Sequence, residues 1–307
     1  MLKSEKSLKS DISKSNSNII KISFVLILTL FIISICVSSV QATNWNVSSG
    51  DSIQSVIDNN ASENDTITVN NGTYNENIVV NKKNLTLKAN GNVTINASDS
   101  GNPVFHINSE GSESTIQGFT ITGATNSYGL RLDSTINCTI KDLIIENCSN
   151  GIYITGTNDH IILKNLTINN STNCGIDFYG SISDINTNIL ITGIVINSTG
   201  FNGILFEDKV DNITLDTLSI INTHYDSILG GAKLSNLNMN NVTVTNSGVF
   251  GINFSDLNNG SLNNVTVTDS AGDGIHLTES TGSLIIKNCV LTGNGFLLMV
   301  VFGLVWF

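Results

Sequence analysis

Three acidic residues, Asp133, Asp177 and Glu207, stand far apart in this 307-residue chain. Paired carboxylates can serve as acid and base on a glycosidic bond, about 5–5.5 Å apart for retention or about 6.5–9.5 Å for inversion. Arg131, the single arginine, precedes Asp133 by two positions, and Tyr153 and Tyr179 lie near Asp177. A tyrosine ring offers a flat apolar face with a polar tip, which suits stacking on a sugar. No local motif joins these six residues. If they act together, something in the chain as a whole must gather them.

A repeat provides that gathering. Gly129, Gly151, Gly175, Gly203, Gly251 and Gly274 each precede an apolar residue, and Ser227 fills the missing beat, at intervals of 22, 24, 28, 24, 24 and 23 residues. Each unit reads as three short alternating strands. The first carries Ile152/Ile154, Ile176/Phe178, Ile204/Phe206 and Ile252/Phe254; the second Ile140, Leu163, Ile191, Leu215 and Met239; the third Ile145, Ile168, Ile196, Ile220 and Val244. Period-two alternation buries one face and wets the other. Units of about 24 residues cannot bury a core alone, so they must stack as a solenoid. The third strand begins one residue after Asp142, Asn165, Asn241, Asn264 and Asn288, where a tight bend suits residues that tolerate left-handed geometry. Stacked amides there can hydrogen-bond from rung to rung.

Stacking places the outward residues of the first strand in columns with neighbours about 4.8 Å apart. One column reads Arg131, Tyr153, Asp177, Leu205, Leu229, Asn253, His276; the next reads Asp133, Thr155, Tyr179, Glu207, Gly231, Ser255, Thr278. The six candidates therefore share one patch, with Asp177 and Glu207 on adjacent rungs and Asp133 and Asp177 two rungs apart. Three readings stay open: catalysis by the carboxylates, glycan contact without catalysis, and an ordinary solvated face.

The pattern resembles the right-handed parallel β-helix of the pectate-lyase-like superfamily, including its asparagine ladder at the short turn. The opening is similar too. Residues 51–59 read as a short amphipathic helix covering the first rung, with Asp51 and Gln54 as its capping box, followed by Gly72-Thr-Tyr-Asn-Glu-Asn77. The resemblance implies an all-β solenoid with a sugar-binding cleft on the first-strand sheet. Sequences known from its enzymes are missing, among them Gln-Asp-Thr-Leu of the methylesterases and Gly-His-Gly and Arg-Ile-Lys of the polygalacturonases. With one arginine, a lyase needing an arginine base and further arginine clamps has almost nothing to draw on.

Composition narrows the remaining choices. The formal charge is −11, charged residues make up 13%, Pro occurs once and Asn 45 times. Few charges among many β-branched residues argue against a disordered polyanion. An acidic chain with one arginine cannot neutralise a run of phosphates, so nucleic acid is excluded as a partner. Cysteines 138, 148, 174 and 289 show no metal spacing, and Cys138 and Cys289 fall at inward positions. No cofactor or metal ion is expected; Asp208, Asp211 and Asp216 carry no calcium-loop signature. His160, His224 and His276 read as isolated surface residues. Asn-x-Ser/Thr sequons recur, for example at Asn46, Asn71, Asn84, Asn197 and Asn212, where an exported chain can be glycosylated.

Residues 1–42 read as an export signal. Five lysines lead an apolar run from Ile22 to about Val37, ending in Val40-Gln-Ala42, with an uncleaved membrane anchor as the competing reading. Residues 43–101 form the cap and first rungs, 102–295 the repeats, and 296–307 an almost uniformly apolar tail. That tail reads as a truncated or frameshifted frame, or else as a plug on the last rung. The texture of residues 45–295 resembles the adhesin-like surface proteins of methanogenic archaea. The resemblance implies a secreted or cell-surface structural or adhesive module, with extracellular glycans as partners and membrane contact only through the N-terminal segment. The rival is a polysaccharide-active enzyme using Asp133, Asp177 and Glu207.

Overall fold

The computed structural model describes residues 41–302 apart from 182, 232 and 233, together with Lys21, Ser23, Val25 and Leu26. The chain divides into two compact units, Met1–Gln41 and Ala42–Phe307. In the first, Lys21, Ser23, Val25 and Leu26 are helical, and of the expected export signal only these four and residues 41 and 42 lie within the described residues. Among the described residues no helix is long and apolar enough to cross a membrane.

The second unit is a solenoid of parallel strands. Its first-strand sheet stacks Tyr128–Asp133, Asn150–Thr155, Ile176–Phe178, Ile204–Phe206, Ile228–Gly230, Ile252–Phe254 and Asp273–Lys287 in that order. Register is kept at every step: Ile152 pairs with Ile176, then Ile204, Ile228, Ile252 and Ile275, and all six are fully buried. The alternation read from the sequence is thus an apolar column running along the axis. A neighbouring column reads Ile154, Phe178, Phe206, Gly230, Phe254, with the Phe178 and Phe206 rings 4.9 Å apart. Gly230 is the small residue that this column needs: a Cβ there would lie 2.7 Å from the Phe254 ring.

The second and third strands were expected as separate pieces. In the middle rungs they run together as Ile185–Thr199, Lys209–Thr223, Leu234–Ser247 and Leu257–Thr268. Hydrogen bonding continues because the bend between them takes only one residue. Asn241 and Asn264 hold it in two of these strands and Gly193 and Thr217 in the other two, while Asp142, Asn165 and Asn288 take the same place in other rungs, all with φ between 53° and 67°. The asparagine amides among them form the expected ladder: Asn165 donates to Asp142 at 3.1 Å and Asn264 to Asn241 at 2.7 Å. Two further left-handed columns accompany it. Asn188, Asn212 and Asn236 precede the second strand, and Asn170, Asn222 and Asn246 follow the third. Asn212 donates to Asn188 at 2.6 Å and Asn246 to Asn222 at 2.8 Å. Much of the asparagine excess has this physical cause, since asparagine accepts left-handed geometry and its amide both donates and accepts along a stack.

The cap is built differently from the expected capping box. The helix spans Ile53–Asn59 with Ser52 as its N-cap, and the Glu76 carboxylate accepts from the Ile53 and Gln54 amides at 2.9 and 3.0 Å. Gln54 turns to the sheet instead, accepting from the Val79 amide at 2.7 Å and donating to the Val79 carbonyl at 3.3 Å. Its side-chain amide mimics a strand on the edge that the helix covers. Tyr74 donates to the Asn70 carbonyl, and the Asn77 amide donates to the Asp99, Asn102 and Pro103 carbonyls. The Tyr-Asn-Glu-Asn motif is therefore a pin for the cap. Glu76→Ala leaves helix donors unmet and is expected to cost about 1–2 kcal/mol, read as a lowered urea midpoint.

Phe296–Phe302, expected as a tail, forms a strand parallel to Asp273–Lys287, with Asp273 opposite Phe296 and Ser280 opposite Phe302. Residues 303–307 lie outside the described residues. All four cysteines of the solenoid are free thiols, and burial raises Cys148 to about 11 and Cys174 to about 12.

Candidate functional site

Register brings the candidate residues onto one sheet, as the columns require. Arg131 lies opposite Tyr153, Tyr153 opposite Asp177, and Asp177 opposite Leu205. Within that sheet the six candidates separate into two groups.

Arg131 and Asp133 form the first group. They point to the same side of one strand, and an Arg131 Nη2 donor meets Asp133 Oδ2 at 2.7 Å. His106, from the preceding rung, lies opposite Arg131 with its Nε2 3.8 Å from the same oxygen. Burial and the adjacent guanidinium hold His106 below its ordinary pKa, against the pull of Asp133. The arginine and this carboxylate spend their charge on each other.

Tyr153, Tyr179, Asp177 and Glu207 form the second group and line a groove of about 320 Å³. Tyr128, Asn126, Asn150, Asn173 and Phe201 are among the residues of its walls. The turn residues among them stack by backbone bonds, with the Asn173 amide donating to the Ser149 carbonyl at 2.8 Å and the Phe201 amide to the Asn173 carbonyl at 3.1 Å. Tyr128 and Asn150 are register partners that precede the repeat glycine by one position. The sequence reading missed this column, although the residue before each glycine was a recurrent position that could have been followed.

The tyrosines form a stack along the axis. Tyr128 and Tyr153 lie 4.0 Å apart with their planes at 6°, and Tyr179 follows at 5.7 Å. Both faces of Tyr153 are thereby covered, so it presents an edge to the groove. Tyr179, which ends the stack, is 48% exposed. Burial, then the neighbouring Tyr128, raises the Tyr153 phenol far above its ordinary value.

Asp177 is only 5% exposed despite its outward place on the strand. Asn150 donates to its Oδ2 at 2.7 Å, while its buried Oδ1 has no partner. Burial, with the nearby charges of Glu207 and Asp208, pushes Asp177 up to about 7. Asp208 is 2% exposed, has no hydrogen bond of good geometry to either oxygen, and is raised to about 6 by burial, Asp184 and Glu207 against the pull of the nearby Asn186 amide. Linkage gives a sign to this. Folding holds the Asp177 proton that the unfolded chain loses near pH 4, so stability falls as pH rises from about 4 to 7 and the penalty is constant above. Asp177→Asn removes that penalty. The variant is expected to match the wild type at about pH 4 and to exceed it by about 1–3 kcal/mol at about pH 8 in urea unfolding.

The histidines are not isolated. His160 pairs with Asp159 at 2.7 Å, and His276 pairs with Asp273 at 2.6 Å while stacking on Phe250. Among the described residues no group of three or more acidic, histidine or cysteine side chains could hold a metal ion.

A parallel solenoid with inward aliphatic columns and a groove on one sheet defines a β-helix protein. The family model for the right handed beta helix region matches residues 150–303, and the chain belongs to that family. No curated protein matches it. Three solved structures share the fold at 13–16% identity. A protein of Geobacillus virus E2 has a TM-score of 0.54, covering 74% of this chain and 53% of its own. The enzymatically active domain of tailspike protein 2 of bacteriophage CBA120 has a TM-score of 0.56, at 80% and 43% coverage. The catalytic unit of a GH87 alpha-1,3-glucanase from Streptomyces thermodiastaticus has a TM-score of 0.51, at 86% and 65%. The chain thus spans between about two fifths and two thirds of the length of these structures.

Proposed function

We propose that this protein is an exported or cell-surface β-helix module that binds a glycan in the groove of its first-strand sheet, as an adhesin-like protein would. The carrying observation is the groove itself: an exposed tyrosine at the end of a ring stack, beside Asp177, Glu207 and the amides of Asn126, Asn150 and Asn173. An apolar platform flanked by groups that accept from and donate to hydroxyls is the composition a sugar ring requires. The fold it shares with a glucanase catalytic unit supports a polysaccharide as the ligand class.

Catalysis is the second reading, favoured by the high pKa of Asp177 next to Glu207, since a carboxyl that keeps its proton to about pH 7 can serve as a general acid. Binding takes precedence because Asn150 already occupies one oxygen of Asp177, and because Asp133 is tied to Arg131. A polysaccharide panel separates the two. Binding without release of reducing or unsaturated sugars supports the module. Release by the wild type that Asp177→Ala abolishes would establish the enzyme instead.

A further inference from the structure

Resting on the glycan-binding reading of the groove, we infer that its ligand is a glycan bearing protonated amino groups, a hexosamine rather than a neutral sugar or a uronate. The argument is one of uncompensated charge. Asp177 and Glu207 line the groove, and the carboxyls of Asp208 and Asp184 meet nearby at Gly180. None of the four acids has a basic partner within ion-pair distance among the described residues. Among the described residues no lysine, arginine or histidine lines the groove. Arg131, two rungs from Asp177 on the same sheet, is already committed to Asp133.

A buried acid without a counter-ion is costly, and Asp177 has a buried oxygen that meets no donor at all. A neutral sugar would displace water from these carboxyls and supply no charge in return. A uronate would add a further negative charge to an already negative groove. An ammonium group supplies both the charge and up to three donors, and the Tyr179 face beside it adds a cation–π attraction.

The test uses the full chain and isothermal titration at about pH 7, where Asp177 is about half ionised and the amine is still largely protonated. The ligands are tetraglucosamine, its fully N-acetylated counterpart, tetragalacturonate and tetralysine. Tetraglucosamine is expected to bind roughly tenfold or more tightly than the acetylated tetramer, a ratio that shrinks in high salt, with tetragalacturonate weakest. In the double variant Asp177→Asn/Glu207→Gln, which removes charge at nearly constant shape, the ratio is expected to fall towards one. Melting curves of the variant establish that it is folded. Equal affinity for the two hexosamine tetramers in the wild type would overturn this inference while leaving glycan binding intact. Tetralysine binding as tightly as tetraglucosamine would overturn the sugar specificity. Binding of no oligosaccharide would remove the glycan reading and this inference with it.

Discussion

Phe206→Ala is expected to destabilise the solenoid by about 3–5 kcal/mol, the largest stability loss among the substitutions considered. Phe206 is fully buried, with the Phe178 ring on one side at 4.9 Å and Gly230 on the other. Removing the ring leaves a void whose walls cannot close. The rung spacing is fixed by backbone bonds on both faces of the strand, and Gly230 has no side chain to move in. Because each rung is stabilised chiefly by its neighbours, the loss concentrates where it occurs. Urea unfolding followed by far-ultraviolet dichroism is expected to show a lowered midpoint and a broadened transition, as rungs on either side of Phe206 begin to open separately. Ser219→Ala, on an outward position of the same rung, should shift stability by less than about 0.5 kcal/mol.

The second large effect is on binding. Tyr179→Ala is expected to weaken glycan affinity by roughly tenfold to a hundredfold, about 1.4 kcal/mol for each factor of ten. The side chain is half exposed and ends the ring stack, so its removal takes away an exposed aromatic face while disturbing little of the core. Tyr153→Ala makes a different change. It breaks two ring contacts and exposes the partner rings, so it should lower both stability, by about 0.5–1.5 kcal/mol beyond the lost burial, and affinity. A variant pair in which Tyr179→Ala weakens binding at unchanged melting temperature distinguishes a platform from a packing residue.

The rung rhythm was legible because it is imposed by the core. Ile152, Ile176, Ile204 and their successors must occupy one column or the interior fails, and a glycine one position earlier marks the phase. At Gly151, for instance, a Cβ would lie 2.4 Å from Ile168 and 2.6 Å from the Gly175 carbonyl. The bend at Asn165 and its equivalents was legible for a related reason, since few residues accept that φ. The two further ladders escaped notice because their positions mix Asn with His160, Ser198 and Asp269, which hold the same conformation under different names.

The site was legible only as a set of neighbours. Columns identify which residues are adjacent, but the partner that each side chain chooses depends on rotamers and on turns of unequal length. Arg131 chose Asp133 on its own strand, which withdrew both from the groove. Tyr153 found Tyr128, a residue outside the columns that had been followed. The helix start rests on the local Ser52 cap and on Glu76, more than twenty residues away, and no local pattern could reveal the second of these. Outward placement also failed to imply exposure: Leu205 and Asp177 are both covered by the turn walls that make the groove.

The central claim is that a glycan occupies this groove, and amide chemical-shift mapping tests it most directly. The isotope-labelled chain would be titrated with the tightest-binding oligosaccharide of a glycan panel. The predicted result is a contiguous set of shifted amides at Asn150–Thr155, Ile176–Tyr179, Phe201 and Glu207, absent in Tyr179→Ala. Shifts confined to another face of the solenoid, or a binding isotherm unchanged by Tyr179→Ala, would contradict it.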